Sequence, residues 1–135
     1  MEQLRDPDSG CPWDIKQTHS SIAKCSIEES YELISSIIKN DTEGIKEELG
    51  DLLLQVIFHS QIANEKGNFN FNDVVKGLNS KLVRPHPHVF DEKIKKKKIT
   101  AAEQERVWDT IKRSEKNTDQ TDVCLLYTSP SPRDS

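Results

Sequence analysis

Ile27-Glu28-Glu29-Ser30-Tyr31-Glu32-Leu33-Ile34 and, past Asn40-Asp41-Thr42, Glu47-Glu48-Leu49-Gly50-Asp51-Leu52-Leu53-Leu54-Gln55 are the strings on which the fold turns. Each places carboxylates three residues apart inside an apolar run of helical period. Residues i and i+3 share one face of a helix. Glu29 with Glu32, and Glu48 with Asp51, therefore read as two carboxylate pairs on two helices joined by a turn. If the helices pack antiparallel, the pairs can face each other. Crowded carboxylates repel and lose hydration, so they require protons, cationic partners or a metal. The competing reading is a pair of solvated acidic faces, which would usually interleave Lys or Arg at i+4. Glu28, Glu29, Glu32, Glu47, Glu48 and Asp51 have neither at i+3 or i+4. Hard divalent cations prefer oxygen donors. The pattern therefore points to a Mg²⁺ site that handles phosphates.

The residues around these strings set the helix limits. Thr18 or Ser20 is a suitable N-cap for a first long helix over 20–39. Its apolar positions (Ile22, Ala23, Ile27, Tyr31, Leu33, Ile34, Ile37, Ile38) cover more than half the circumference. That is more than one neighbour requires, so the helix is expected to pack against a second subunit as well. Asp41 or Thr42 should cap a second helix over 42–66, with Gly67 as its stop and Leu49, Leu52, Leu53, Val56 and Ala63 as its core stripe. Glu48, Asp51, Gln55 and His59 follow an adjacent line. Gly50 costs about 1 kcal/mol in mid-helix relative to Ala, which suggests close approach of a backbone or ligand. A third helix over 72–83, capped by Asn70 or Asn72, turns Val74, Val75, Leu78 and Leu82 inward. A fourth spans 101–113 with Val107, Trp108 and Ile111 apolar. The prolines of Pro85-His86-Pro87-His88-Val89-Phe90 predict an extended segment between them.

Other groups carry weaker signals. Asp6-Pro7-Asp8-Ser9-Gly10 is turn-rich, and Trp13 follows it. Trp13 either lids the core edge or offers a ring for base stacking. Lys81 and Arg84 either complement a helix C-terminus or supply charge for substrate phosphates. Glu28 could orient or deprotonate an attacking water. His59 reads as a satisfied, half-buried histidine. His86 and His88 lack the spacing of a zinc site, and the basic run 93–98 reads as a solvated loop.

The totals exclude several classes. The 135 residues suit one domain, and a chain of this length buries roughly two-thirds of its unfolded surface. A net charge of −4 argues against general nucleic-acid binding. Cys11, Cys25 and Cys124 form neither a disulfide framework nor a zinc knuckle. No run approaches a membrane span. The expectation is a cytoplasmic protein with no membrane and no nucleic-acid partner. From about residue 116 the pattern stops. Residues 116–135 are expected to be a disordered or non-native tail after a domain spanning 1–115.

Taken together, the chain resembles the MazG family of nucleoside triphosphate pyrophosphohydrolases. The matching strings are Leu4 through Asp14 (with Gly10-Cys11-Pro12-Trp13-Asp14), Gln17-Thr18-His19, Glu28 through Glu32, Glu48 through Val56, His86 through Phe90, and Val107 through Lys112. The chain departs from the family at Arg84-Pro85-His86, where Arg-Arg-His is common. The resemblance implies an all-α, four-helix-type fold that dimerises through its long helices. It implies Mg²⁺-dependent hydrolysis of the α–β bond of a nucleoside triphosphate, with Mn²⁺ as a possible substitute. It implies Glu29, Glu32, Glu48 and Asp51 as metal ligands and Glu28 as a helper for water or a second metal; Trp13, Lys81 and Arg84 are the candidate substrate contacts. A second expectation is a catalytically weak dimeric helical domain that senses nucleotides or docks a partner.

Overall fold

A computed structural model describes residues 1–93 and 98–116. Among these the chain is all helical: α1 (Pro12–Lys16), α2 (His19–Ile38), α3 (Thr42–Glu65), α4 (Phe71–Val83), α5 (Pro87–Phe90) and α6 (Ala101–Lys116). It divides into two units, Met1–Leu78 and Asn79–Ser135. Each is described by itself.

The long helices form where local chemistry allows them to start and stop. The Thr18 hydroxyl accepts from the Ser21 backbone N–H while the Ser21 hydroxyl accepts from that of Thr18. This reciprocal capping box satisfies two amides that no helical carbonyl can reach. Asp41 caps α3 through the Gly44 N–H at 3.0 Å. Both helices end in Schellman turns. Asn40 (φ 54°) and Gly67 (φ 73°) take the left-handed position. Asp41 N–H then reaches Ser36 O, and Asn68 N–H reaches Ala63 O, each at 3.0 Å. The short link through Asn40 and Asp41 folds α2 and α3 into the expected hairpin. Further reciprocal caps join Asn70 to Asp73 and Thr100 to Glu103.

The core of the first unit is small: Ile22, Phe58 and Ile62, with Met1 and Cys25 packed against it. The expected α3 stripe is covered only in part. Ala63 is buried as expected, Leu49, Leu53 and Val56 are exposed, and Phe58 and Ile62 are buried instead. Helical period locates an apolar stripe, but it does not say which part of the stripe the chain itself covers. Val75, Leu78 and Leu82 of α4 are likewise exposed rather than inward, and the apolar Val107 and Trp108 of α6 are exposed too. Gly50 has nothing within 4 Å of where a Cβ would stand, so among the described residues no other backbone approaches it. Gly10 is a glycine that the fold needs for space. A Cβ there would overlap Leu4 O, Asp6 O and Asp6 N, backbone atoms held by the Gly10 N–H to Asp6 O and Cys11 N–H to Leu4 O bonds.

The N-terminal segment is fastened by Arg5, whose role the sequence did not reveal. Its guanidinium donates to both carboxylate oxygens of Glu65 at 2.8 and 3.0 Å and to the carbonyls of Asp14 and Gln17. It also lies 5.5 Å from the Phe58 ring centroid. The hydrogen bonds to Glu65 hold that carboxyl below its ordinary range.

In the second unit, the segment expected to be extended contains α5, a single helical turn. Pro87 stands at its first position, where a missing N–H costs nothing and φ suits a helix. Pro85 is fully buried, and its carbonyl accepts from Gln104 Nε2 at 2.8 Å. The tail from residue 117, and residues 94–97 of the basic run, lie outside the described residues. Lys116 itself closes α6. Among the described residues no helix is long and apolar enough to cross a membrane.

Candidate metal centre

The helical hairpin brings together carboxylates that the sequence placed 19 and 22 positions apart. Oxygens of Glu29 on α2 and of Glu48 and Asp51 on α3 all lie within 4.8 Å of one another. Glu29 and Glu48 are half-buried and Asp51 is exposed, so the cluster has a closed inner side and an open outer one. Among the described residues, Oε2 of Glu29 and Oε2 of Glu48 are shielded from solvent and have no hydrogen-bond partner, and the same is true of Gln55 Oε1 one turn further along α3. Buried acceptors without donors are costly. A hard cation would supply what the surrounding side chains do not. By donor chemistry and spacing, these residues fit a hard divalent cation.

The electrostatics agree. Burial is the largest cause holding the Glu29 carboxyl above its ordinary range, followed by the charges of Glu32 and Asp51. Glu48 is raised for the same leading reason, then by Glu32. Glu32 is exposed and stands outside the tight group of three. Its carboxylate nevertheless acts on both half-buried members. The four residues expected as ligands thus form one electrostatic cluster, with Glu32 at its rim.

The other expected site residues are distributed differently. Glu28 is exposed on α2, beside the cluster in sequence and outside the tight group. Trp13, on α1, is 60% exposed. That removes the reading in which it lids the core and leaves its ring available. Its carbonyl accepts from Gln17 Nε2 at 2.8 Å, and Arg5 holds the flanking carbonyls. Lys81 and Arg84 lie in the second unit. Arg84 is paired with Glu115 of α6, a partner no local pattern could indicate. The same unit gathers His86, His88, Trp108 and Lys112. The His86 ring meets the Trp108 ring edge-on at 6.3 Å, and Lys112 Nζ lies 5.1 Å from the Trp108 centroid. His59 is half-buried, as expected, and its partner is His19 at 2.7 Å. Two residues named only within matching strings, Arg5 and His19, therefore have structural roles that needed the fold to become visible.

A family profile described as the MazG nucleotide pyrophosphohydrolase domain matches residues 17–90. A Thermotoga maritima protein named nucleoside triphosphate pyrophosphohydrolase/pyrophosphatase MazG is 49% identical over 116 residues, covering 86% of this chain and 42% of the relative. The Escherichia coli K12 nucleoside triphosphate pyrophosphohydrolase is 50% identical over 90 residues, covering 67% and 34%. The chain therefore spans less than half the length of these relatives. The crystal structure of a mazG-related protein from Thermotoga maritima superposes with a TM-score of 0.62 at 24% identity, over 76% of this chain and 87% of that one. That likeness concerns the fold.

Proposed function

The chain belongs to the MazG nucleotide pyrophosphohydrolase family, and on that premise we propose that it hydrolyses nucleoside triphosphates at the α–β bond, giving a nucleoside monophosphate and pyrophosphate. The observation that carries the reading is the convergence of Glu29, Glu48 and Asp51 oxygens from two helices, where Glu29 and Glu48 each also have a buried oxygen without a hydrogen-bond partner among the described residues. Residues 1–115 are taken as the working domain.

Glu29, Glu48 and Asp51 would hold a Mg²⁺ ion, with Glu32 completing the set from the rim. When bound, Mg²⁺ supplies positive charge to the triphosphate oxygens and makes water more acidic. Glu28, exposed beside the cluster, is the carboxylate assigned to orient the attacking water and take its proton. The water oxygen bonds to the α-phosphorus, the bond to the bridging oxygen breaks, and pyrophosphate leaves with that oxygen. The exposed Trp13 ring is assigned to stack on the base.

Incubation with a nucleoside triphosphate and Mg²⁺ is expected to release pyrophosphate, and orthophosphate release would overturn the reading. Nucleotide binding without turnover would favour the sensing role instead. Mg²⁺ or Mn²⁺ is expected to raise the melting temperature. A ligand at a hundredfold excess over its Kd, bound only by the folded state, adds about 2.7 kcal/mol. A melting curve indifferent to either ion would remove the metal site.

We also propose a homodimer. Ile27, Tyr31, Ile34 and Ile38 of α2 are exposed at spacings of four, three and four, and Leu49, Leu53 and Val56 of α3 at four and three. Each stripe follows one helix face, and Tyr31 and Ile38 are 65% and 74% exposed. Exposed apolar stripes of this length are unusual on a monomer. Light scattering should give twice the chain mass, and Ile34→Asp should halve it. A monomeric wild type would refute the dimer.

A further inference from the structure

His19, at the first position of α2, and His59, on α3, form a contact that the metal reading does not use. Their Nδ1 atoms approach to 2.7 Å, the rings are nearly parallel at 8°, and their centroids are 5.0 Å apart. That separation is too wide for two rings lying face on face. It fits two imidazoles meeting Nδ1 edge to Nδ1 edge, almost in one plane. In this arrangement the lone pairs aim at each other rather than at a common third point. The geometry suits one proton on the axis between them and does not suit chelation.

We propose that His19 and His59 are positioning residues: a one-proton latch that fastens the first turn of α2 to α3 and opens when both rings become charged. One ring must carry its proton on Nδ1 and donate, while the other carries it on Nε2 and accepts. Two Nδ1–H groups cannot share 2.7 Å, so charging both rings breaks the contact. Double protonation would also put a cation in the first turn of α2, at the positive end of the helix dipole.

The pair sits at the edge of the Ile22, Phe58 and Ile62 core. The surrounding titratable and charged groups come from three elements. Cys25 of α2 packs on that core. Arg5 of the N-terminal segment lies over Phe58, next in sequence to His59, with Glu65 as its partner. Asp51 lies two turns earlier on α3. Burial is the first cause lowering the His59 pKa, and the charge of His19 is the second. A group so lowered stabilises the fold above its unfolded value near 6.5. That contribution is lost as pH falls through the folded value, because the unfolded chain then binds more protons.

The latch fixes how α2 lies on α3, and so how closely Glu29 approaches Glu48 and Asp51. That last step rests on the metal reading above; the latch itself does not.

The test uses ¹⁵N imidazole spectra of the metal-free protein, with His86→Gln and His88→Gln variants to assign signals. The expected result at about pH 8 is opposite tautomers for His19 and His59, with the His59 signals changing when His19 is replaced. Two Nε2–H tautomers, or two independent titrations, would overturn the proposal. His59→Gln is expected to lower the melting temperature at about pH 8 and to narrow its gap from wild type towards about pH 5. A gap unchanged with pH would overturn the acid release. If the variant does not fold, the spectra of the wild type decide. Loss of metal binding with the tautomer pair intact would refute the metal reading and leave the latch standing.

Discussion

Glu48→Gln will abolish pyrophosphate release and, in the same protein, raise the melting temperature of the metal-free form. Glu48 is half-buried, carries an unpartnered shielded oxygen and shares a 4.8 Å cluster with Glu29 and Asp51. A neutral amide keeps the shape and removes the charge a divalent cation needs. Loss of activity by at least about a hundredfold is expected, since changes one shell further from a metal already cost about 10–100-fold. Asp51→Asn should behave alike. Full activity in both variants would remove these residues from the site.

The stability gain follows from the same crowding. Glu29 and Glu48 are held above their ordinary value of 4.5, first by burial and then by neighbouring carboxylates. A carboxyl raised in this way favours folding most below its unfolded pKa, and that contribution is lost as pH rises through the folded value. At neutral pH the metal-free fold is therefore burdened by charges that Glu48→Gln partly removes. The wild type without metal should lose stability as pH climbs through that window, and the variant should lose less. A lower melting temperature for metal-free Glu48→Gln would show that the cluster does not oppose folding.

Arg5→Met will be the most destabilising single substitution in the N-terminal segment. The guanidinium side chain is 7% exposed, and it bonds one carboxylate and two carbonyls. Its removal takes a donor from the carbonyls of Asp14 and Gln17, of which the Asp14 carbonyl keeps the Gln17 N–H. Glu65 is 38% exposed and can rehydrate, so the loss falls below that of breaking a fully buried pair. About 2–3 kcal/mol is expected, or roughly 10 °C in melting temperature for a domain of this size. Arg5→Lys retains the charge but not the planar fork, and it should recover only part of the loss. The variant should also lose an acid limb of the stability curve. Glu65 is held low by its bonds to Arg5, so it stabilises above its unfolded pKa and that contribution disappears as pH falls through the folded value. Chemical denaturation across acid pH reads both effects. A cost under about 0.5 kcal/mol, typical of an ordinary surface change, would mean the fastening is incidental.

Helix limits were legible because caps and stops are local. Thr18, Asp41 and Gly67 lie within a few residues of the amides and carbonyls they satisfy. The carboxylate pairs were legible for a related reason, since i, i+3 spacing fixes a shared face before any packing occurs. Pro87 shows the limit of local rules. The same ring that disfavours a helix before it is well suited to a helix's first position, and only the structure chose the second role. The apolar stripe of α3 shows another limit. Leu49 and Leu53 have the period of core residues, yet this chain leaves them exposed. Hydrophobicity records that a face is to be covered and does not record by which chain.

The sequence by itself determined an all-helical chain, its hairpin turn and the four carboxylates that crowd together, because those follow from backbone hydrogen bonding and helical periodicity over short spans. Only the tertiary structure decided that Glu29, Glu48 and Asp51 form the tight group with Glu32 at its rim. It also decided that Arg5 fastens the N-terminal segment, that Arg84 answers Glu115, and that His19 meets His59. These contacts join residues 31 to 60 positions apart, except the short-range carbonyl bonds of Arg5. Their geometry depends on how whole helices settle against one another, which no local pattern encodes.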